Sequence, residues 1–497
     1  MSDAFRTTLA DADRPLVLSV DIGSTASRAG LYDAAGRPLR DARQKVSHTF
    51  TTDVDGTSTI DADQVVAEVS EVVGAVTDAV PEGGIAGVGL DSFAASLVGV
   101  DATGKAVTPC YTYADSRCAP RVAELRTKLG ESELQQRTGT RLHTSYLAPR
   151  LRWLRDTEPE LFAAVDRWMS LPEYVHLRLL GVAVASTPAA SWTGLLNRRT
   201  GEWDTQLLRL SGIRRAQLSP VQDPAVAITP TPGAASSVAR TWPALADAQW
   251  FPGIPDGLGS SLGAGGTGSS TAVLSASTTG AMRLLVETIP ATLPPGLWGY
   301  RVDDGHSLLG GALSDVGSAV TWLRENIRVD DDLDDVLGPE PVSSTPLVLP
   351  FLSGERSTGW SAGALGTVLG ISAAHTPTDL ARGLLEGVAL SYARVAKQLR
   401  EVAGMPSEIR VSGGVIGGVP GFAQLLADVL GAPVTPVTYK RTTMRGTALL
   451  ALRELAPDVD RAVGPLGERC EPVPARTAHY ARRLAQLEDA YAAVTPL

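Results

Sequence analysis

Apolar residues in the first hundred positions fall into short blocks broken by turn residues. Leu16 to Val20 is one run and ends at Asp21. Ser27 to Tyr32 is a second, and Asp33-Ala34-Ala35-Gly36 is a turn from which Gly36-Arg37-Pro38-Leu39 opens a third. Short runs bounded by Gly, Asp and Ser predict strands, and three in succession predict a meander. The pattern then changes period. Val65, Val66, Val69, Val72, Val73 and Val76 share one helical face and predict a helix over 61–79 with Asp61 as N-cap. Ile85 to Leu90 and Leu97 to Val100 read as two further strands.

The same order recurs about 250 residues later. Ser270 to Ser277, Ala281 to Val286, Trp298 to Val302 and Ser307 to Gly310 predict strands, and Ser318 to Ile327 a helix. A meander followed by a helix, occurring twice, is a duplication signature. Helical spacing also covers 378–402, 420–430 and 443–455, with Pro420 expected at the first helical position and Gly431 just past the end. Ser219 to Ala235 and Pro252 to Gly268 are rich in Pro, Gly and small polar residues. The expected organisation is a polar, disordered tail over 1–14, a first domain over 15–253 and a second over 254–497.

Composition adds limits. The 497 residues exceed what one core usually supports, so at least two domains are expected. A net charge of -10 argues against nucleic acid or an anionic membrane as partner. Three cysteines without CxxC spacing predict free thiols in a reducing compartment. The polar N-terminus reads as no signal peptide, and no apolar run is long enough for a membrane span. A cytoplasmic protein is expected.

Two turns carry the first chemical signal. Asp21-Ile22-Gly23-Ser24-Thr25 and Ser277-Thr278-Thr279-Gly280 each follow an apolar strand and lead into another. Such turns present backbone N–H groups and hydroxyls to one point, which suits phosphate. Each by itself also reads as an Asx or ST turn closing a hairpin. Arg410-Val411-Ser412-Gly413-Gly414 gives a strand, a double glycine and a helix, where backbone can approach a nucleotide closely, or a tight connection. Pro255-Asp256-Gly257 is a turn tripeptide that also places an aspartate at the domain boundary. In Tyr113-Ala114-Asp115-Ser116-Arg117, Asp115 and Arg117 suit either sugar hydroxyls or an ion pair with each other.

Two motifs fail on context. Gly99 to Lys105 spells a P-loop, but Ala106 replaces the Mg²⁺-binding hydroxyl and no helix follows. Gly263, Gly265 and Gly268 have dinucleotide-loop spacing but lead into a strand. Of the histidines, only His143 lies near other candidate groups. His48, His176, His306, His375 and His479 read as packing or surface residues.

Taken in order, these motifs resemble the FGGY family of carbohydrate kinases from about Pro15 to about Leu455. Phe351 to Arg356, Gly366 to Ile371, Leu384 to Gly387 and Phe422 to Val429 extend the likeness. The resemblance implies an α/β fold of two actin-like, ribonuclease-H-like domains flanking a deep cleft, with ATP and Mg²⁺ as cofactors. By the same resemblance Asp256 is the general base and Asp21 the metal-side carboxylate. Gly23, Ser24, Thr25, Arg28, Thr278, Thr279, Gly280, Gly317, Gly413, Gly414 and Gly417 would bind the nucleotide. Ser92, Phe93, Asp115, Arg117, His143 and Arg150 would meet the substrate.

Ser191 to Asn197, Pro109 to Asp115 and Glu173 to Val175 are most similar to gluconokinases. Gluconate is an anion, and Arg117, Arg150 and His143 suit it. The alternatives are a kinase for a ketopentose or polyol and a non-catalytic sugar-binding regulator. Several members dimerise, so a homodimer is the expected assembly, although no stripe in the chain demonstrates an interface. Ala94-Ala95 stands where many relatives have Met-His, and Ser186 where a carboxylate is usual. Arg150 replaces a common lysine, and Leu147, Gly383 and Arg441 also depart from family patterns.

Overall fold

The computed structural model describes residues 5–329, 333 and 336–495. Residues 1–4 of the expected tail lie outside the described residues. The rest of that tail is not disordered. Phe5 is buried, and Thr7 pairs with the edge strand Pro38–Ser47, donating to the Pro38 carbonyl and accepting from the Arg40 N–H. An edge strand offers unpaired backbone groups, and the tail satisfies some of them.

The described chain divides into two compact units that are not contiguous in sequence. The first runs to Gly263 and adds Gly299–Ser307 and Lys440–Gly464. The second comprises Ala264–Trp298, Leu308–Tyr439 and the residues from Pro465 onward. The single boundary expected near Gly253 is thus replaced by a junction at Gly263 and two returning segments. The helix Thr442–Leu455 shows why. Its Met444, Ala448, Ala451 and Leu452 pack with Val17, Tyr32 and Phe251, so its apolar face is buried only in the first unit.

The first unit holds a six-stranded sheet. Val17–Ile22 lies at its centre, antiparallel to Ala26–Tyr32 and parallel to Gly87–Ser92. Pro38–Ser47 continues the meander, while Gln249–Trp250 and Ile254–Pro255 both pair in parallel with Gly87–Ser92. The predicted helix is Ala62–Thr77, and Asp61 caps it by accepting from the Asp63 and Gln64 N–H groups. Its valines join Leu18, Val20 and Leu31 in one core.

The second unit repeats the plan. Its strands run in the order Ser307–Leu313, Gly280–Val286, Thr271–Ala276, Glu408–Ser412, Val434–Pro436. Thr271–Ala276 is antiparallel to Gly280–Val286 and parallel to Glu408–Ser412, as Val17–Ile22 is to its own neighbours. The helix Pro377–Ala403 covers the sheet. Gly383 and Gly387 let it approach a separate strand, Leu347–Leu349, closely, since a Cβ on either would fall 2.5 Å or less from the Pro346 or Val348 carbonyl oxygen. Phe422–Leu430 starts two residues later than the sequence suggests, because Gly421 takes the cap position in the left-handed region. Gly431 ends the helix as expected.

Three of the sequence motifs prove to be packing devices. Glu355 accepts from Arg394 at 2.6 Å, Glu386 pairs with Arg382 at 2.9 Å, and Asp428 accepts from Gln424 at 3.0 Å.

Candidate active site

In the first unit, three strand ends bring three carboxylates together. Register places Asp21 beside Arg28 across the hairpin and beside Asp91 across the parallel pair. Ile254 sits opposite Asp91, so Asp256 follows directly where the helix Asp256–Gly263 begins. Arg28 donates to Asp21 at 3.0 Å and to Thr25 Oγ1 at 3.2 Å. Thr447 donates to Asp91 Oδ2 at 2.6 Å.

Burial raises the Asp21 pKa, and Arg28 opposes that rise. Asp91 is fully buried and held well above the usual carboxylate range, first by burial and then by the charge of Asp21. Two carboxylates this close oppose each other's ionisation, and Asp91, fully buried, is pushed up well above its ordinary value.

Asp256 is positioned by an unusually close helix contact. A Cβ on Gly446 would lie 1.8 Å from the Gly259 carbonyl oxygen, and one on Gly263 would lie 1.8 Å from that of Thr442. Only glycines let Asp256–Gly263 and Thr442–Leu455 pack backbone to backbone.

Beside these carboxylates, Ser92, Phe93, Ala95, Trp192, Thr193 and Pro255 line a small pocket. Ala95 has φ 55°, a strained value for a residue with a Cβ. Trp192 stacks on Tyr300 with centroids 3.7 Å apart, and Tyr300 hydrogen-bonds Tyr146 at 2.8 Å.

The candidate substrate residues divide here. Ser92 and Phe93 line the pocket, and His143 is half-buried with Nδ1 3.0 Å from Ser145 Oγ. Asp115 is buried and committed to Arg117 at 2.6 Å and to the Ser58 N–H at 3.1 Å. Arg117 also lies over Trp153, 4.5 Å from the ring centroid. Arg150 is completely buried and donates to the carbonyls of Ala95 and Thr144. It supports the Ala95 loop from beneath, which corrects the expectation of direct substrate contact.

In the second unit, Ser277, Thr278, Gly317, Arg324, Gly414 and Gly418 line a cavity of about 320 Å³. The Ser277 carbonyl accepts from Gly317 N–H at 2.8 Å, tying the turn to the helix Gly317–Asn326. Thr279 and Gly280 complete the turn, and Gly280 is glycine because a Cβ would lie 2.0 Å from Tyr392 Oη. Gly413 has φ 121° and passes so near Thr271–Ala276 that a Cβ would sit 2.2 Å from the Ala276 oxygen. Gly417 lies in the short helix Gly414–Gly418 that forms one wall. Sequence reasoning missed Asp91, Thr447, Tyr300 and Arg324. Only Asp91 had a signal, a carboxylate at the end of a strand parallel to the one ending in Asp21.

A duplicated sheet plan, with a Ser/Thr/Gly turn after the first strand of each copy and an aspartate opening a helix, is the plan of an actin-like phosphotransferase. The chain belongs to the FGGY family of carbohydrate kinases: residues 16–234 match the family's N-terminal domain and residues 268–455 its C-terminal domain. These are ATP-dependent sugar phosphotransferases. Gluconokinase of Bacillus subtilis (strain 168) is 25% identical, with 88% of this chain and 87% of that protein covered. The crystal structure of gluconate kinase from Lactobacillus acidophilus matches with a TM-score of 0.88 at 26% identity, covering 96% and 98% of the two chains. The structure of ligand-bound xylulose kinase from Lactobacillus acidophilus matches with a TM-score of 0.88 at 25% identity over the same shares.

Proposed function

We propose that this kinase transfers the γ-phosphoryl group of ATP to a hydroxyl of a sugar acid, gluconate by preference, with Asp256 as general base. The carrying observation is that Asp256 opens its helix beside Asp91 and Asp21, at the edge of the pocket lined by Ser92 and Phe93. Likeness to gluconokinases supports the substrate.

In this reading Thr278, Thr279, Gly280, Gly317, Gly413, Gly414 and Gly417 are nucleotide-binding residues, and so are Gly23, Ser24, Thr25 and Arg28. Asp256 accepts the proton of the attacking hydroxyl, a contribution of roughly 10²–10⁴-fold. The transition state is loose and anionic, so the remaining residues act by position and by donated hydrogen bonds.

Asp21 would hold Mg²⁺, which neutralises phosphate charge when bound. The donor chemistry fits: Asp21 presents a carboxylate at the end of its strand, beside Asp91. Mg²⁺ keeps water and phosphate oxygens as most of its ligands. A homodimer and a cytoplasmic location rest on family likeness alone.

A ketopentose or polyol is the second reading. The xylulose kinase structure matches equally well, and the burial of Arg150 removes one cation from those expected to meet a carboxylate. The non-catalytic reading gains no support, because Asp21, Asp256 and both turns are all present.

The test is ADP release with MgATP and D-gluconate, D-xylulose, D-ribulose or glycerol, scored by kcat/KM. Gluconate should lead, and a lead for another sugar overturns the substrate. Asp256→Asn should abolish transfer while ATP still binds. Normal turnover in that variant would remove Asp256 from the mechanism.

A further inference from the structure

The turn Gly23–Thr25 is held from behind by a buried histidine that the reaction chemistry does not use. His48 Nε2 lies 2.9 Å from the Gly23 carbonyl oxygen, and its backbone N–H donates to the Thr25 carbonyl at 3.1 Å. One residue therefore grips two carbonyls of one turn.

The other face of the imidazole is equally committed. Nδ1 lies 2.8 Å from Glu68 Oε2, which also accepts from Ser27 Oγ at 2.8 Å. Glu68 Oε1 accepts from Gln64 at 2.8 Å. His48 and Glu68 are each only 6% exposed. Phe50 stacks on the His48 ring, with centroids 6.2 Å apart, and meets Phe93 edge-on at 5.2 Å.

The hydrogen-bond chemistry has one consistent assignment at Nε2. A carbonyl oxygen only accepts, so Nε2 carries a proton and donates it to Gly23. The peptide between Gly23 and Ser24 is planar, and in a trans peptide C=O and N–H point in opposite directions. With the carbonyl drawn inward to His48, the Ser24 N–H is turned outward, where Ser24 and Thr25 are exposed.

We propose that His48, held by Glu68, is a positioning residue that fixes the Gly23–Ser24 peptide so that the Ser24 N–H faces the transferring phosphoryl group. The proposal rests on the reading of this turn as a phosphate site. A donor fixed before the reaction needs no reorganisation as charge develops, and losing one such donor typically costs on the order of 10²–10³ in kcat. Glu68 fixes the orientation of the ring from the other side, with a second proton between Nδ1 and Oε2, so that Nε2–H stays aimed at the Gly23 carbonyl.

The experiment compares three variants with MgATP and D-gluconate, or D-xylulose if the sugar panel selects it. His48→Phe keeps the ring stack and removes the donor. His48→Gln keeps an N–H donor near the Nε2 position. Ser24→Pro deletes the outward N–H itself.

The expected result is a kcat loss of about 10-fold or more in His48→Phe, with KM for the sugar changed less than about 3-fold. His48→Gln should recover most of the loss. Equal losses in Phe and Gln variants, or a His48→Phe kcat within about 3-fold of the parent in folded protein, overturn the proposal.

If His48→Phe does not fold, His48→Met against His48→Gln makes the same comparison. The turn reading fails separately. If folded Ser24→Pro turns over normally, the turn does not serve the phosphate. If Ser24→Pro is slow and His48→Phe is not, the role of His48 alone is lost.

Discussion

Asp21 and Asp91 stand side by side at the ends of two parallel strands, where burial and the charge of Asp21 both oppose loss of the Asp91 proton. Folding raises the Asp91 pKa, so the folded protein binds this proton more tightly than the unfolded chain does. That stabilisation is complete below the unfolded carboxylate pKa and is lost as pH rises through the folded value. Asp91→Asn mimics the protonated acid and has nothing to lose. Its Tm relative to the parent should therefore climb as pH goes from 4 to 8. Thermal melts across that range decide it, and a Tm difference independent of pH refutes the upward shift at Asp91.

Gly446→Ala tests how Asp256 is placed. The added methyl would meet the Gly259 carbonyl at 1.8 Å, which is backbone and cannot swing aside. The two helices must separate, costing roughly 1–3 kcal/mol or more. We expect a lower Tm and, in protein that still folds, a kcat reduced more than the affinity for ATP. An unchanged melt and kcat would show that the contact is not obligatory.

Gly413→Ala addresses the nucleotide cavity. Alanine is strained at φ 121°, and its Cβ would fall 2.2 Å from the Ala276 oxygen. ATP binding measured by calorimetry should weaken by about 10-fold or more, since a displaced loop misplaces every backbone donor it carries. Sugar protection against thermal unfolding should persist. Loss of both would mean that the substitution unfolds more than this loop.

Arg150→Met separates support from contact. Removing the guanidinium takes the donor from the Ala95 carbonyl, at about 1–3 kcal/mol, and leaves the Thr144 carbonyl only Cys118 Sγ. Tm should drop, and KM for the sugar should rise as the Ala95 loop relaxes. A raised KM with an unaltered melting curve would instead place Arg150 against the substrate.

Local signals were legible in the chain, and relationships across long separations were not. Alternation and turn residues marked the strands of both sheets, although in the second Gly280–Val286 neighbours Ser307–Leu313 and not the next strand in sequence, and Asp61 marked the start of its helix, because those preferences act within a few residues. Asp91 was passed over because its meaning comes from register with Asp21, 70 positions earlier. Arg150 looked like a substrate ligand because sequence shows charge and not burial. His48 read as a packing residue until Glu68 and the Gly23 carbonyl appeared on either side of its ring. The assignment of 440–464 to the first unit was hidden for the same reason. An amphipathic helix declares that it has a buried face and not which core receives it.

That last segment bears on how the protein is made. The helix Thr442–Leu455 completes the core around Val17 and Tyr32 and braces the helix that begins with Asp256. During synthesis the N-terminal unit must therefore wait for a helix encoded almost two hundred codons later. At roughly 5–20 residues per second this is a delay on the order of 10 s or more. Throughout it, an apolar groove on the nascent chain lies open to chaperones or to the wrong partner. The second unit can close part of its own core first, so the order of assembly need not follow the order of translation. A truncation that ends before residue 440 would leave the active-site carboxylates on an unfinished scaffold, however intact their own strands.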